Sequence, residues 1–130
     1  MSLYLDTSVV VHAIAGSSNW FAELDADDEP FSSRLLELEI TRTLRRDGLD
    51  PDIARPYLRR IALVSLDDAT LAAAGQIPEH LKTLDAIHLA TALRTDPTAT
   101  MLTHDRTLAA VAAAHGFTVR DPINLPSAEG

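Results

Sequence analysis

Short apolar runs alternate along the chain with longer segments whose apolar residues recur at helical spacing. Residues 3–6 predict a first strand that ends on a carboxylate, and residues 61–66 predict a buried strand. Shorter strands are predicted in "PFSS", in "ATMLTHD" as far as Thr103, and in "FTVRDP". Because helical segments separate these strands, the pattern is typical of an α/β fold with a parallel sheet covered on both faces.

Several helical segments have clear boundaries. A helix is predicted over residues 7–15, with Gly16 after it. The segment "SSNWFAELDADDEP" predicts a second, short helix, and its acidic end at 25–29 is interpreted as a solvated loop. Further helices are predicted in "DPDIARPYLRRI", where Pro51 suits a first turn, and in "RTLAAVAAAHG", which Gly116 closes.

Two more helices combine an apolar face with acidic residues. "SRLLELEITRTLRRDG" has high helix propensity, a capping serine at position 32 or 33, and Gly48 at its end. Its apolar stripe consists of Leu36, Ile40 and Leu44. In "TLDAIHLATALRT", Thr83 is the predicted N-cap.

Acidic residues follow two of the predicted strands. Asp6 ends the first strand and Asp105 follows the strand that ends near Thr103. Ligands of parallel α/β sheets bind beyond the carboxyl ends of the strands, so both acids are candidate site residues. Each also has a local explanation as a cap of the next helix. Asp67 and Asp68 occupy a similar junction, open the helix that runs to residue 75, and are assigned to capping.

Glu39 and Asp85 lie inside the predicted helices rather than before them. Glu39 borders the apolar stripe, and an exposed ion pair with Arg42 is the alternative to a role in a site. Asp85 belongs to the first turn after Thr83 and has Leu89 at i+4. Acids near a core are costly unless they are paired or bound to a metal ion.

The length of 130 residues and the 46% hydrophobic content suit one domain with a core. The chain has no cysteine, which excludes disulfides and thiolate chemistry and fits a reducing cytoplasm. No signal peptide or membrane span is predicted. The net charge of −8 opposes binding of nucleic acid by charge alone, so a nucleic-acid substrate needs a local cation, and an acidic surface suits a basic protein partner.

Four acids drawn together would repel one another, and a hard divalent cation would relieve that repulsion, because Mg²⁺ and Mn²⁺ prefer oxygen ligands. The five histidines are too scattered for a structural zinc site, and they are expected to be packing or surface residues. His88 is i+3 from Asp85, so a hydrogen bond or a supporting role there stays open, and His104 stands beside Asp105.

Four segments together resemble the PIN-domain ribonucleases, most closely the VapC toxins of bacterial toxin–antitoxin pairs. "LYLDTSVVV" is similar to the family's first strand with Asp6 and Thr7, and "SSRLLELEITRTLRR" to the helix that carries Glu39. "LDAIHLATA" and "MLTHDRTLAAVAAAHGF" are similar to the later blocks with Asp85 and Asp105. The resemblance covers residues 1–121, a PIN-like nuclease domain, and leaves residues 122–130 as a C-terminal tail.

The resemblance implies a three-layer sandwich with a short central parallel sheet and a metal-dependent endoribonuclease. Asp6, Glu39, Asp85 and Asp105 would hold one or two Mg²⁺ or Mn²⁺ ions, with Asp6 and Asp85 as direct ligands. Thr7 and Thr103 would orient these carboxylates or a water. Hydrolysis would leave a 3′-hydroxyl and a 5′-phosphate on the RNA.

The resemblance also implies a homodimer that a cognate antitoxin inhibits, often by inserting a basic side chain among the acids. A basic strip on the helix of Glu39 could contact RNA phosphates or serve only solubility. The strip consists of Arg34, Arg42, Arg45 and Arg46.

Four alternatives differ from this hypothesis in their reaction or in their substrate. A haloacid dehalogenase-type phosphatase is disfavoured, because it needs an Asp two residues after Asp6, where Ser8 stands. A receiver domain is disfavoured as well, because it needs a Lys after the late strand and no Lys follows near Asp105. A non-catalytic module that binds RNA or protein would keep the fold without the reaction. A nuclease of the same chemistry could instead cleave DNA or structured RNA.

Overall fold

The computed structural model describes residues 1–123. Five parallel strands form one sheet in the order β3-β2-β1-β4-β5. The strands are β1 (Ser2–Leu5), β2 (Glu29–Ser33), β3 (Ala62–Val64), β4 (Thr100–Leu102) and β5 (Thr118–Arg120). This parallel α/β sheet confirms the fold class that the sequence predicts, although β3 is three residues shorter than the predicted 61–66.

Within residues 1–123, six α-helices connect the strands. They are α1 (Thr7–Ile14), α2 (Leu35–Arg46), α3 (Arg55–Leu58), α4 (Asp68–Gly75), α5 (Thr83–Thr95) and α6 (Arg106–Ala114). The segment predicted as one helix after Pro51 is a 3₁₀ turn, Pro51–Ala54, followed directly by α3. None of the helices within residues 1–123 has the length and apolar composition that a membrane span requires.

The sheet separates two hydrophobic cores, which makes the fold a three-layer sandwich. Successive side chains of a strand point to opposite faces. Leu3 and Leu5 of β1 therefore pack with α1 and α2, whereas Tyr4 packs on the other face with α5 and α6. Because both faces of β1 are covered, this central strand is buried along nearly its whole length.

The structure corrects several local predictions. The short helix expected within residues 17–30 is only a turn, in which the Glu23 N–H bonds the carbonyls of Asn19 and Trp20. Thr83 is not the N-cap of α5, because Lys82 occupies that position without a side-chain hydrogen bond. Arg34 is the N-cap of α2, although the Ser33 hydroxyl accepts the N–H of Leu35 at 3.1 Å.

Three of the predicted capping acids are confirmed, whereas Asp68 is the first residue inside α4 and Asp67 is the cap. The side chains of Asp6, Asp67 and Asp105 accept N–H groups at the starts of α1, α4 and α6. Asp6 and Asp105 leave neighbouring strands at the same edge of the sheet, since Leu5 of β1 stands opposite Leu102 of β4. Asp6 and Asp105 therefore cap helices and also lie at the same edge of the sheet.

Candidate active site

Asp6 lies at the centre of the candidate site and is 96% buried by side-chain and backbone neighbours, with 4% of its surface exposed. Its Oδ1 accepts the Thr7 N–H at 2.8 Å, and its Oδ2 accepts the Ser8 hydroxyl at 2.8 Å. The Thr103 hydroxyl donates to the same Oδ2 at 2.9 Å. Three donors therefore fix the orientation of this buried carboxylate.

Thr103 joins Asp6 to Asp105. Its hydroxyl donates to Asp6 and accepts the Asp105 N–H at 3.0 Å. Asp105 in turn caps α6 by accepting the Leu108 N–H at 2.9 Å through Oδ1. This supports the orienting role proposed for Thr103, because one buried hydroxyl contacts both acidic residues.

Glu39 approaches the same edge from α2. Its Oε1 accepts the Thr7 hydroxyl at 2.7 Å and lies 2.7 Å from His88 Nε2. Burial raises the pKa of Glu39, but the hydrogen bond and charge of His88 and the Thr7 bond outweigh it and leave the pKa lowered. The carboxylate is therefore bound to α1 and α5 rather than paired on the surface with Arg42.

His88 was expected to be a packing or surface residue, but it belongs to the polar network of the site. The ring is fully buried, and its Nδ1 lies 2.6 Å from the Tyr4 hydroxyl. Its Nε2 also lies 3.2 Å from the Thr7 hydroxyl and 3.9 Å from Asp6 Oδ1. The i+3 spacing from Asp85 was the only sequence signal for this role, and no periodicity could pair His88 with a strand residue 84 positions away.

Asp85 sits one turn before His88 on α5 and is half-buried. The pKa of Asp85 is raised to about 6, mainly by burial and then by the charges of Asp6 and Asp105. His88 and Lys82 oppose this shift. Asp6, Asp85 and Asp105 are thus close enough for their charges to interact.

Ser8 was not recognised as a site residue from the sequence. Its hydroxyl donates to Asp6 and accepts the His104 N–H at 3.1 Å, so it ties the start of α1 to the segment after β4. The His104 ring turns instead to Asp121, with 2.9 Å between Nδ1 and Oδ2, and stacks edge-on against His12.

The predicted basic strip is only partly related to the site. Arg34, Arg42, Arg45 and Arg46 are all exposed. Arg42 and Arg46 follow Glu39 at i+3 and i+7, so they run along α2 to about 10 Å from it along the helix axis. Arg46 also forms a 3.4 Å ion pair with Asp47, which is exposed and therefore weak.

The donor set fits a hard divalent cation in its chemistry. All four acids offer oxygen ligands, and burial, followed by the negative charges of Asp6 and Asp105, raises the pKa of Asp85. Within residues 1–123, no group of three or more acidic or histidine side chains forms a ready-made metal site. Mg²⁺ commonly binds through one or two carboxylates and retains several waters, so this arrangement is compatible with it.

Comparison of the sequence with models of known protein families identifies one matching family. The model of the family described as PIN domain matches residues 3–114. No curated protein matches the sequence.

Solved structures similar to the chain share its fold at low sequence identity. VapBC2 from Rickettsia felis, bound to a DNA fragment from their promoter, contains a chain with TM-score 0.73 and 13% identity, covering 93% of this chain and 98% of that one. A chain of VapBC-1 from nontypeable Haemophilus influenzae has TM-score 0.68 and 15% identity, covering 93% of this chain and 98% of that one. A chain of FitAB bound to an IR36 DNA fragment has TM-score 0.63 and 18% identity, covering 97% of this chain and 99% of that one.

Proposed function

Since the chain belongs to the PIN domain family, whose members are in general nucleases, we propose that it is a metal-dependent endoribonuclease toxin. Its cofactor would be Mg²⁺ or Mn²⁺, and a cognate antitoxin would inhibit it. The reaction would be hydrolysis of RNA phosphodiester bonds.

The observation that carries this proposal is the hydrogen-bonded link between acids from separate elements. Thr103 connects Asp6 with Asp105, and Thr7 connects the start of α1 with Glu39. Carboxylates repel one another, and the pKa of Asp85, raised to about 6 by burial and by the charges of Asp6 and Asp105, records that repulsion. A fold stabilises such a cluster most simply when a cation balances the charge.

We assign the direct cation contacts to Asp6 and Asp85, and direct or water-mediated contacts to Glu39 and Asp105. A divalent cation bound there would activate water and neutralise charge on the scissile phosphate. Thr7 and Thr103 would keep Glu39 and Asp6 in orientation, as supporting groups of metal sites do.

Two further features support RNA as substrate and a protein inhibitor as partner. Exposed Arg42, Arg45 and Arg46 would contact phosphates beyond the acidic cluster, where the net charge of −8 otherwise repels RNA. The VapBC and FitAB names describe two-component complexes, which supports a VapB-like antitoxin with basic side chains for this chain. We further propose a homodimer that acts in the cytoplasm.

The deciding experiment incubates purified, antitoxin-free chain with total RNA and Mn²⁺ or Mg²⁺, and maps the cleavage ends. We expect discrete cuts with 3′-hydroxyl and 5′-phosphate ends, abolished by EDTA. In Asp6→Asn and Asp85→Asn the cleavage rate should fall by roughly 100-fold or more. Asp68→Asn, at an exposed position in the first turn of α4, is the matched control and should cleave normally.

Parallel reactions contain single-stranded and duplex DNA. Cleavage of DNA alone would replace the proposed substrate and retain the proposed chemistry. A wild-type chain that binds RNA but cuts neither polymer would instead support a non-catalytic binding module. Equal cleavage by wild type and both site variants would point to a contaminating nuclease and overturn the assignment.

A further inference from the structure

A chain of hydrogen bonds runs from the hydrophobic core to the candidate active site through His88. The Tyr4 and His88 side chains are fully buried beneath the acids. The Tyr4 hydroxyl lies 2.6 Å from His88 Nδ1, and His88 Nε2 lies 2.7 Å from Glu39 Oε1. Three elements, β1, α5 and α2, are therefore joined through one imidazole.

The contacts of Glu39 and Thr7 determine where the ring carries a proton. The Thr7 hydroxyl donates its single hydrogen to Glu39 Oε1, so towards His88 it can only accept. Nε2 therefore faces two acceptors, the carboxylate and the Thr7 oxygen. An imidazole nitrogen in that position must carry hydrogen and donate.

The opposite end of the ring is consistent with this assignment. The Tyr4 oxygen accepts the backbone N–H of Ser33 at 3.2 Å, which leaves its own hydrogen for His88 Nδ1. Burial raises the pKa of Tyr4, so the phenol keeps that hydrogen. A ring that accepts the Tyr4 hydrogen at Nδ1 and donates from Nε2 to Glu39 satisfies both neighbours.

Both donors converge on one oxygen of Glu39. The hydrogen bonds from Thr7 and His88 end on Oε1. Within residues 1–123, no buried side-chain oxygen or nitrogen lacks a partner, and the Glu39 side chain is 21% exposed. Oε2 is therefore the oxygen left accessible for a ligand.

We propose that His88, held by the Tyr4 hydroxyl, is a positioning residue that fixes Glu39 by Oε1 and reserves Oε2 for a divalent cation or its water. The inference rests on the proposed function. In this role the His88 ring contacts neither substrate nor cation and acts only by holding Glu39. Outer hydrogen-bond partners of metal ligands commonly fix ligand orientation in this way.

The first measurement requires no cation and no activity. The ¹⁵N shifts of the two His88 ring nitrogens, recorded on the metal-free chain, should show hydrogen on Nε2, the nitrogen that faces Glu39. Hydrogen on Nδ1 alone would overturn the proposal, because the ring could not then donate to Glu39. This result is independent of whether the chain is a nuclease.

The second measurement is Mn²⁺ affinity by calorimetry on intact variants. His88→Leu removes the donor and should weaken binding by roughly 10- to 100-fold. His88→Gln restores an amide donor near the Nε2 position and should recover most of the loss. Tyr4→Phe removes only the hydroxyl and should weaken binding by about 2- to 10-fold, the worth of a typical hydrogen bond.

His115→Gln is the matched control. His115 is the C-cap of α6, at the opposite end of that helix from Asp105, and bonds Glu79 at 2.9 Å, so the substitution should leave Mn²⁺ affinity unchanged. Circular dichroism confirms that each variant is folded. If His88→Leu does not fold, the difference in Mn²⁺ affinity between His88→Gln and Tyr4→Phe tests the positioning role of His88.

The outcomes separate the two proposals. Wild-type affinity in folded His88→Leu, or in Tyr4→Phe if the former does not fold, would overturn the positioning role and leave the proposed nuclease intact. A wild-type chain that binds no Mn²⁺ would overturn the proposed function together with the cation part of this inference, while the ring shifts would still decide how His88 holds Glu39.

Discussion

Thr103 contacts Asp6 across two neighbouring strands, with 2.9 Å between its hydroxyl and Oδ2. The residues are neighbours because Leu5 and Leu102 stand opposite each other in the parallel register of β1 and β4. The Asp105 N–H bonds the same hydroxyl, so the position of one oxygen controls two acids. The sheet edge thereby becomes a rigid support for the cluster.

Replacing Thr103 with Val should therefore impair both stability and cation binding. Val keeps the shape but leaves the Asp105 N–H unpaired and removes a donor from Asp6. We expect the free energy of unfolding to fall by about 1–3 kcal/mol, together with weaker Mn²⁺ binding. Urea denaturation and calorimetry test this. Thr107→Val, on the exposed side of α6, should change neither quantity.

Asp85 should give the metal-free chain a distinctive pH dependence. Its pKa is raised from 3.8 to about 6, mainly by burial and then by Asp6 and Asp105. Between these values the folded chain binds more protons at this group than the unfolded chain. The free energy of unfolding contributed by Asp85 therefore decreases as pH rises through that window.

Denaturation in EDTA at several pH values from 4 to 8 measures this contribution. Asp85→Asn should be more stable than wild type at the upper end, and the difference should shrink as pH falls below about 6. Asp68→Asn serves as the surface control. A difference between wild type and Asp85→Asn that does not vary with pH would contradict the raised pKa.

Divalent cations should stabilise the folded chain through the acids. A ligand that binds only the folded state at 100 times its Kd adds about 2.7 kcal/mol to the free energy of unfolding. We expect Mn²⁺ to raise the Tm of the wild type and to have little effect on Asp6→Asn. NaCl at equal ionic strength controls for charge screening, and a Tm unaffected by Mn²⁺ would contradict the proposed site.

The basic strip predicts a salt-dependent contribution to RNA binding. If Arg42 and Arg46 contact phosphates, replacing each with Gln should reduce the slope of log K against log salt by roughly 0.7 for single-stranded RNA. Filter binding with the cleavage-deficient Asp6→Asn chain measures this slope. Arg59→Gln, exposed after α3, should leave the slope unchanged if the strip on α2 is the RNA contact.

Local predictions succeeded where neighbouring residues along the chain decide the outcome. The alternation of short strands with helices gave the parallel α/β class, and Asp67 caps α4 as its position predicts. They were wrong where several local signals compete, as in the turn within residues 17–30. The tail at 122–130 lies mostly outside the described residues, and the site assignment remains a proposal.

The amino-acid sequence determined which residues end strands and which begin helices, because backbone propensities and periodicity act over a few residues. It placed Asp6 and Asp105 at such junctions and Glu39 and Asp85 inside helices. Only the tertiary structure decided that His88 joins Tyr4 to Glu39 and that Thr103 serves two acids. Those contacts depend on strand order, register and helix rotation, which are set by packing between segments as much as 97 residues apart.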